Sequence, residues 1–274
     1  MKRIAVIVFC VLMLASAAFA QEMTEVRDQA SIFEKGYILV KGKSATGQEE
    51  SMAERAAVVI AQRNLLETIQ GLNLAGETSI VNNVGMRDII NTKVVGRLRG
   101  ATPVKVVFDE AKGNAVAWVR YNLKGTGGLY DAAAPVLQGT PAKLGLEELP
   151  AFKPETAPAP QPKTYDGLIV IVEGTGFKPA LANRIVTESQ DILFEPSKVS
   201  PRMLIERGCG GYTTTQDKAK ALLASWGSKS PLVVKCVKVM KGTEAVISVK
   251  DATVIFEQDQ KTNMLPQAKV VFVL

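Results

Sequence analysis

Seven of the chain's 13 prolines fall between Pro135 and Pro162, ending in Pro154-Glu-Thr-Ala-Pro158-Ala-Pro160-Gln-Pro162. Proline has no backbone N–H to give and locks φ, so such a stretch suits neither a helix interior nor a central strand. Alternating Ala-Pro favours extended polyproline geometry. Residues 126–164 therefore read as an exposed Pro/Ala-rich linker between two folded units, 21–125 and 165–274. The full length of 274 residues is enough for two ordinary domains once a targeting segment and this linker are set aside.

The targeting segment is residues 1–20. Met1-Lys2-Arg3 is positive, an apolar core runs from Ile4 to about Ala15, and small residues follow up to Ala20. Ala18 and Ala20 stand where signal peptidase requires small side chains, which predicts cleavage between Ala20 and Gln21. The apolar stretch of about twelve residues is short of the roughly 20 needed to span a bilayer. Cys10 follows Phe9, whereas a lipidated cysteine needs a small residue before it. The later apolar run 233–240 is interrupted by Lys235 and Lys238. The mature chain is thus expected to be exported, periplasmic or otherwise extracytoplasmic, with no transmembrane segment.

Composition removes much chemistry. The chain contains 0 histidines, which excludes serine–histidine and cysteine–histidine catalysis and histidine-ligated zinc. Cys209 and Cys236, the only thiols after residue 20, are too few for a thiolate zinc site or an iron–sulfur cluster. An even pair in an oxidising compartment can bridge, closing a loop worth roughly 3 kcal/mol; two buried free thiols are the alternative. Losing Lys2 and Arg3 leaves 31 basic against 27 acidic groups, a dispersed +4 that gives no footing for nucleic acid. Arg87, Lys93, Arg97 and Arg99 read as a solvated helix face.

In the first unit, residues 37–41 read as a strand closed by Gly42. Ser51-x-x-Glu54 reads as a capping box opening a helix, with Ala53, Ala56, Ala57, Ile60, Ala61, Leu65, Ile69 and Leu72 on one face. A short strand near 77–81, a helix near 86–96, and strands at 102–109 and 115–123 follow. In the second unit, 167–172 and the region around Ile185 read as strands and 216–226 as a helix. Residues 232–239, 244–249 and 267–274 are β-rich, with a helical turn near 251–256. The fold class is α+β: two sandwiches of helices on mostly antiparallel sheets.

No motif in either unit names a reaction. Gly174-Thr175-Gly176 follows a strand but lacks the third glycine of a dinucleotide loop, and Lys178 is not followed by Ser or Thr. Gly208-Cys209-Gly210-Gly211 exposes no activated nucleophile, since no imidazole stands by to deprotonate it. Glu49-Glu50, Asp109-Glu110 and Glu147-Glu148 are explained as solvated charge, and none has calcium-loop spacing. No catalytic, cofactor-binding or metal-ligating residue is assigned; the chain is read as a non-enzyme without cofactor.

Several phrases resemble exported proteins. Ala53-Glu-Arg-Ala-Ala57, Asn64-Leu-Leu-Glu67-Thr-Ile-Gln-Gly71, Val94-Val-Gly96-Arg-Leu-Arg-Gly100-Ala and Ala117-Trp-Val-Arg-Tyr121 are similar to the LPP-twenty outer-membrane lipoprotein family and to the N-terminal domain of flagellar assembly protein T. Tyr165-Asp-Gly-Leu-Ile-Val170, the Gly176–Arg184 stretch, Ser230-Pro-Leu-Val-Val-Lys235 and the terminal Ala268–Leu274 stretch look like the C-terminal region of many such proteins. The resemblance implies a structural or assembly protein of the cell envelope, associated with the outer membrane or a flagellar ring. Its partners are expected to be other envelope proteins or further copies of itself. The missing lipobox separates it from the lipoprotein members. The alternative is a periplasmic module gripping a small ligand or peptide between its two units.

Overall fold

The computed structural model of the protein describes residues 23–98, 102–155 and 163–274. The signal segment, with its Ala20 and Gln21 junction, and residues 156–162 of the Ala-Pro run lie outside them.

The described chain opens with a helix absent from the sequence expectation, α1 (Gln29–Lys35). Asp28 caps it by accepting from Ser31 N, and Gly36 ends it in the left-handed conformation. Strand β1 (Tyr37–Lys43) and helix α2 (Glu50–Gln70) follow. α2 buries Ala53, Ala57, Ala61, Leu65 and Ile69, a stripe at every fourth residue. Ala56 and Ile60, expected on the same face, flank the stripe and stay partly open. Glu49 is the N-cap and makes no side-chain cap bond, so the expected Ser51 box does not form.

A small hairpin of β2 (Asn73–Ala75) and β3 (Thr78–Ser79) leads to α3 (Val84–Ile89). A π turn, Ile90–Val94, carries α3 into α4 (Val95–Leu98). Strands β4 (Lys105–Asp109) and β5 (Asn114–Asn122) complete an antiparallel sheet of order β1-β5-β4. α2 lies across it, with Ala53 and Ala57 against Ala115 and Ala117. The approach is so close that a Cβ on Gly42 would stand 2.9 Å from Ala61 Cα and closer still to Ala57 O. Alanine and glycine at these positions are what let helix and sheet meet.

The linker differs from its expectation. α5 (Leu129–Leu137) forms inside it and buries Leu129, Tyr130, Ala132, Ala133 and Leu137. Phe152 is also buried. The prolines before Pro154 are widely spaced, and the apolar side chains between them gain more from the core than an extended spacer could offer.

In the second unit come β6 (Gly167–Ile171), β7 (Arg184–Thr187), β8 (Ile192–Phe194), α6 (Pro201–Arg207), β9 (Gly211–Thr213) and α7 (Gln216–Ser225). Strands β10 (Pro231–Lys235), β11 (Lys238–Met240) and β12 (Glu244–Ile247), helix α8 (Val249–Thr262) and β13 (Val270–Val273) finish the chain. The turn expected near 251–256 is a 14-residue helix, capped by Ser248. The α+β class stands, but antiparallel pairing dominates only the first unit. Sheet β10-β6-β13-β9 is parallel throughout. In sheet β11-β12-β7-β8 the central β12–β7 pair is parallel and the outer pairs antiparallel. The reason is coverage of both faces. α7 shields Ile169, Val271 and Val273, while Leu168, Val170, Val270 and Phe272 turn into the main core.

That main core spans both units. Phe33 of α1 meets Tyr212 of β9 edge-on at 5.3 Å, and Tyr212 stacks on Phe272 at 5.6 Å. Backbone bonds join them too, from Leu181 N to Asn73 O at 3.1 Å and from Ala182 N to Leu74 O at 2.8 Å.

Candidate functional site

The two thiols do not meet. Cys209 is fully buried, held between Gly208 and Gly210, and its Sγ donates to Asn183 O at 3.4 Å. Half-buried Cys236 donates instead to Lys238 O at 2.9 Å, within its own strand region. Both are free, so the bridged alternative is corrected. Burial pushes each thiol upward, most strongly Cys209, which makes neither a ready thiolate. Gly208 adopts φ +72 with the Tyr130 ring against its α-carbon; a Cβ there would lie 2.6 Å from the ring. That turn faces Cys209 inward.

The other sequence candidates are local structure. Gly174 and Gly176 are left-handed residues of a turn closed by Thr175 N on Val172 O at 3.2 Å. Asp109 pairs with Lys112 at 2.8 Å and Glu147 with Lys241 at 3.2 Å. Glu49 and Glu50 begin α2. Among the described residues no three acidic or thiol side chains gather as a metal site.

Sequence reasoning missed two polar features, one fully buried at Arg184 and one half-buried at Lys124. Arg184, with 0% exposure, donates from Nη2 to Glu195 Oε2 at 2.8 Å and from Nη1 to Glu147 O at 2.8 Å, with Glu244 Oε1 at 3.6 Å. Nothing local marks Arg184 as buried; it opens a strand as any surface arginine could. Asn183 beside it donates to Thr243 O at 2.9 Å, and Thr243 Oγ1 accepts from Gly76 N of the first unit at 2.7 Å. This network locks β7 and β12 to the β2 hairpin. Lys124, at the end of β5, donates to Gly210 O at 3.3 Å and lies 5.5 Å from the Trp226 ring centre. Burial draws its ammonium down to about 8.

Sheet edges carry unpaired N–H and C=O groups. Outside β1, Val26 bridges Leu39; outside β8, Ala151 bridges Ile192 and Phe152 N donates to Ile192 O at 3.0 Å. The outer side of β4 carries no partner strand among the described residues, over five residues. The run 231–240 is longer and serves two sheets. β10 pairs with β6, then Cys236 N donates to Ile171 O and Val237 N to Val246 O, carrying the chain onto β12 as β11. Ser230 O and Cys236 N both face the β6 side. The alternation of a parallel ladder therefore turns the backbone groups of Val233 and Lys235 outward.

Side chains along this edge are amphipathic. Val233 and Val237 are 39% and 55% exposed. Residues 229–243 contain Lys229, Lys235, Lys238 and Lys241 and no acidic residue. The edge is anchored at its start by Asp166, which accepts from Lys229 N, Ser230 N and Ser228 Oγ, each at 2.8 Å. Burial works to raise the Asp166 carboxyl, but these donors outweigh it and hold the group below its ordinary value.

A cleft of about 410 Å³ lies at the opposite sheet edge, lined by Phe152, Leu193, Lys198, Phe256, Asp259 and Leu265 among others. The Phe152 and Phe256 rings meet edge-to-face at 6.2 Å. Lys198 Nζ donates to Ile192 O at 2.9 Å and Leu193 O at 3.4 Å. Asp259 Oδ1 accepts from Leu265 N at 2.8 Å, pinning the turn after α8. Burial lowers the Lys198 ammonium and raises the Asp259 carboxyl, so the cleft disfavours both charges.

Residues 167–274 match the family described as Treponema pallidum Tp0624, second domain. The match opens on the first residue of β6 and runs to the chain's last residue, so it takes in both C-terminal sheets with α6, α7 and α8. No curated protein matches the chain.

Proposed function

We propose that the chain is an exported, non-catalytic protein of the cell envelope that works by contact, docking an extended segment of a partner along residues 231–240. The open edge shared by two sheets carries this reading: its backbone groups at Val233 and Lys235 turn outward, while the β1 and β8 edges are bridged by the chain itself. Charge selects the partner. A second copy paired edge to edge sets lysines against lysines, and like charges directly opposite are unfavourable. A strand bearing Glu or Asp complements Lys229, Lys235 and Lys238.

Export is supported by the basic, apolar and small-residue succession of residues 1–20. An outer-membrane or flagellar-ring setting is supported by the phrases of α2 and the β5 strand that resemble the LPP-twenty and flagellar assembly proteins.

The test is amide hydrogen exchange with a synthetic strand of alternating Glu and Val. Val233 and Lys235 amides are expected to gain protection, binding is expected to weaken with salt, and Val233→Pro is expected to abolish it. Unchanged exchange at both amides, or equal binding of a lysine-bearing strand, overturns the reading.

A further inference from the structure

Three charged side chains line the cleft between α8, β8 and residues 151–153: exposed Lys153, and half-buried Lys198 and Asp259, which face the same space without pairing. Neither Lys198 nor Asp259 has an ion-pair partner within 4.0 Å among the described residues, although both border the same 410 Å³ space. Each has a local structural contact that leaves capacity over. Lys198 spends two donors on the Ile192 and Leu193 carbonyls, and an ammonium has three. Asp259 uses Oδ1 on Leu265 N, which leaves Oδ2 without a hydrogen-bond donor among the described residues. Holding a charge in a poorly solvated place is costly unless something compensates it.

The walls between these charges are apolar. Phe152, 6% exposed, and Leu193 and Leu265, at 3% and 4%, form a floor that a hydrophobic side chain can cover. Half-buried Phe256, edge-to-face with Phe152, lines the same cleft and supplies an aromatic wall. A concave, mostly apolar space with a few convergent polar groups is the usual form of a small-molecule site. The volume lies at the lower end of the ~300–1,000 Å³ such sites occupy, which limits the occupant to a small molecule. The cleft is built by the second unit and residues 151–153, away from the seam of the two units where a ligand was expected.

We propose that this cleft binds a small zwitterion with an apolar body, an amino acid or dipeptide carrying an aromatic or branched side chain. Its carboxylate meets the free donor of Lys198, its ammonium meets Asp259 Oδ2, and its side chain lies against Phe152 and Phe256. An ordinary structural role for Lys198 and Asp259, as staples of β8 and of the turn after α8, requires only one end of each group. The proposal uses the ends that are left.

Isothermal titration of the purified chain with phenylalanine and with alanyl-phenylalanine tests it. At least one of the two is expected to bind, while phenethylamine and 3-phenylpropionate, each with one charge removed, bind at least about tenfold more weakly. Asp259→Asn keeps the acceptor for Leu265 N and removes the charge, so it folds and is expected to lower affinity about tenfold. Lys198→Met is expected to do the same; should it fail to fold, the Asn variant and the analogue series still decide. Absence of binding by both zwitterions up to about 10 mM, well beyond the ~1 mM range of weak specific binding, overturns the proposal. Equal binding by the one-charge analogues, or undiminished binding by Asp259→Asn, overturns it as well.

Discussion

The sheet β1-β5-β4 and the sheet β10-β6-β13-β9 solve the same burial problem differently. In β1 the burial pattern breaks toward its end, with Lys41 and Lys43 exposed around buried Gly42. One helix, α2, covers one face of that sheet with alanines. In the second sheet β6 and β13 are apolar along nearly their whole length, because α7 lies on one face and the main core on the other. A strand covered on one side can alternate; a strand covered on both cannot. The first sheet therefore depends on close backbone approach, and the second on large side chains filling two layers.

Removing a large side chain from the two-sided sheet should cost most. Phe272 is fully buried and stacks on both Phe177, at 5.1 Å, and Tyr212. Phe272→Ala is expected to destabilise by about 3–5 kcal/mol in urea unfolding. A loss below about 1 kcal/mol breaks the claim that this sheet is held by filled layers.

The first sheet should fail in the opposite sense, by addition. Gly42→Ala puts a methyl against the backbone of α2, where no flexible side chain can yield. A cost toward the upper end of about 1–3 kcal/mol is expected. Gly36→Ala is the sharpening control. Nothing stands near its Cβ, so its cost comes only from the positive φ of 74, about 1 kcal/mol.

A cost as small as that of Gly36→Ala belongs to the loop that anchors β10. Asp166→Asn removes the charge and puts an NH2 donor where one of the two accepting oxygens stood, and is expected to cost about 1 kcal/mol at pH 7 once solvent screening is allowed for. The sign follows from the lowered folded value. The stabilisation is complete above the unfolded value of about 3.9 and is lost as pH falls through the lower folded one. The gap between variant and wild type should therefore close below about pH 4. A gap that persists unchanged at lower pH shows that the charge is not what matters.

Thiol labelling separates the two cysteine sites of the second unit kinetically. Cys236 is expected to react with a small disulfide reagent in the folded protein, slowly because burial raises its pKa, and Cys209 only on unfolding. Equal rates would mean that the Gly208 turn opens readily.

Much of the framework was legible. The four-residue stripe of α2, the strands β1, β5, β6 and β13, and helix α7 follow from local periodicity, which is set by side chains a few positions apart. Helix α5 was misread because proline count outweighed Leu129, Tyr130 and Leu137. Most of α8 was missed because Lys250, Asp251 and Glu257 dilute its apolar face, although Ala252 and Ile255 are buried. The candidate sites were less legible still. Lys198 and Asp259 lie 61 positions apart and share a cleft only because α8 comes to rest beside β8. The openness of 231–240 depends on which strand pairs with β10, not on its own residues.

What the residues settled unaided is chemistry and local form. With no imidazole and only two thiols after residue 20, serine–histidine and cysteine–histidine chemistry has no reagent here, and each short run's spacing of apolar groups chose helix or strand. Only the tertiary structure decided strand direction, kept Cys209 and Cys236 apart, sank Arg184 beside Glu195, and left the basic 231–240 edge without a partner strand among the described residues. Those outcomes come from contacts between distant segments, whose free energy is shared across the whole core and is written in no single stretch of chain.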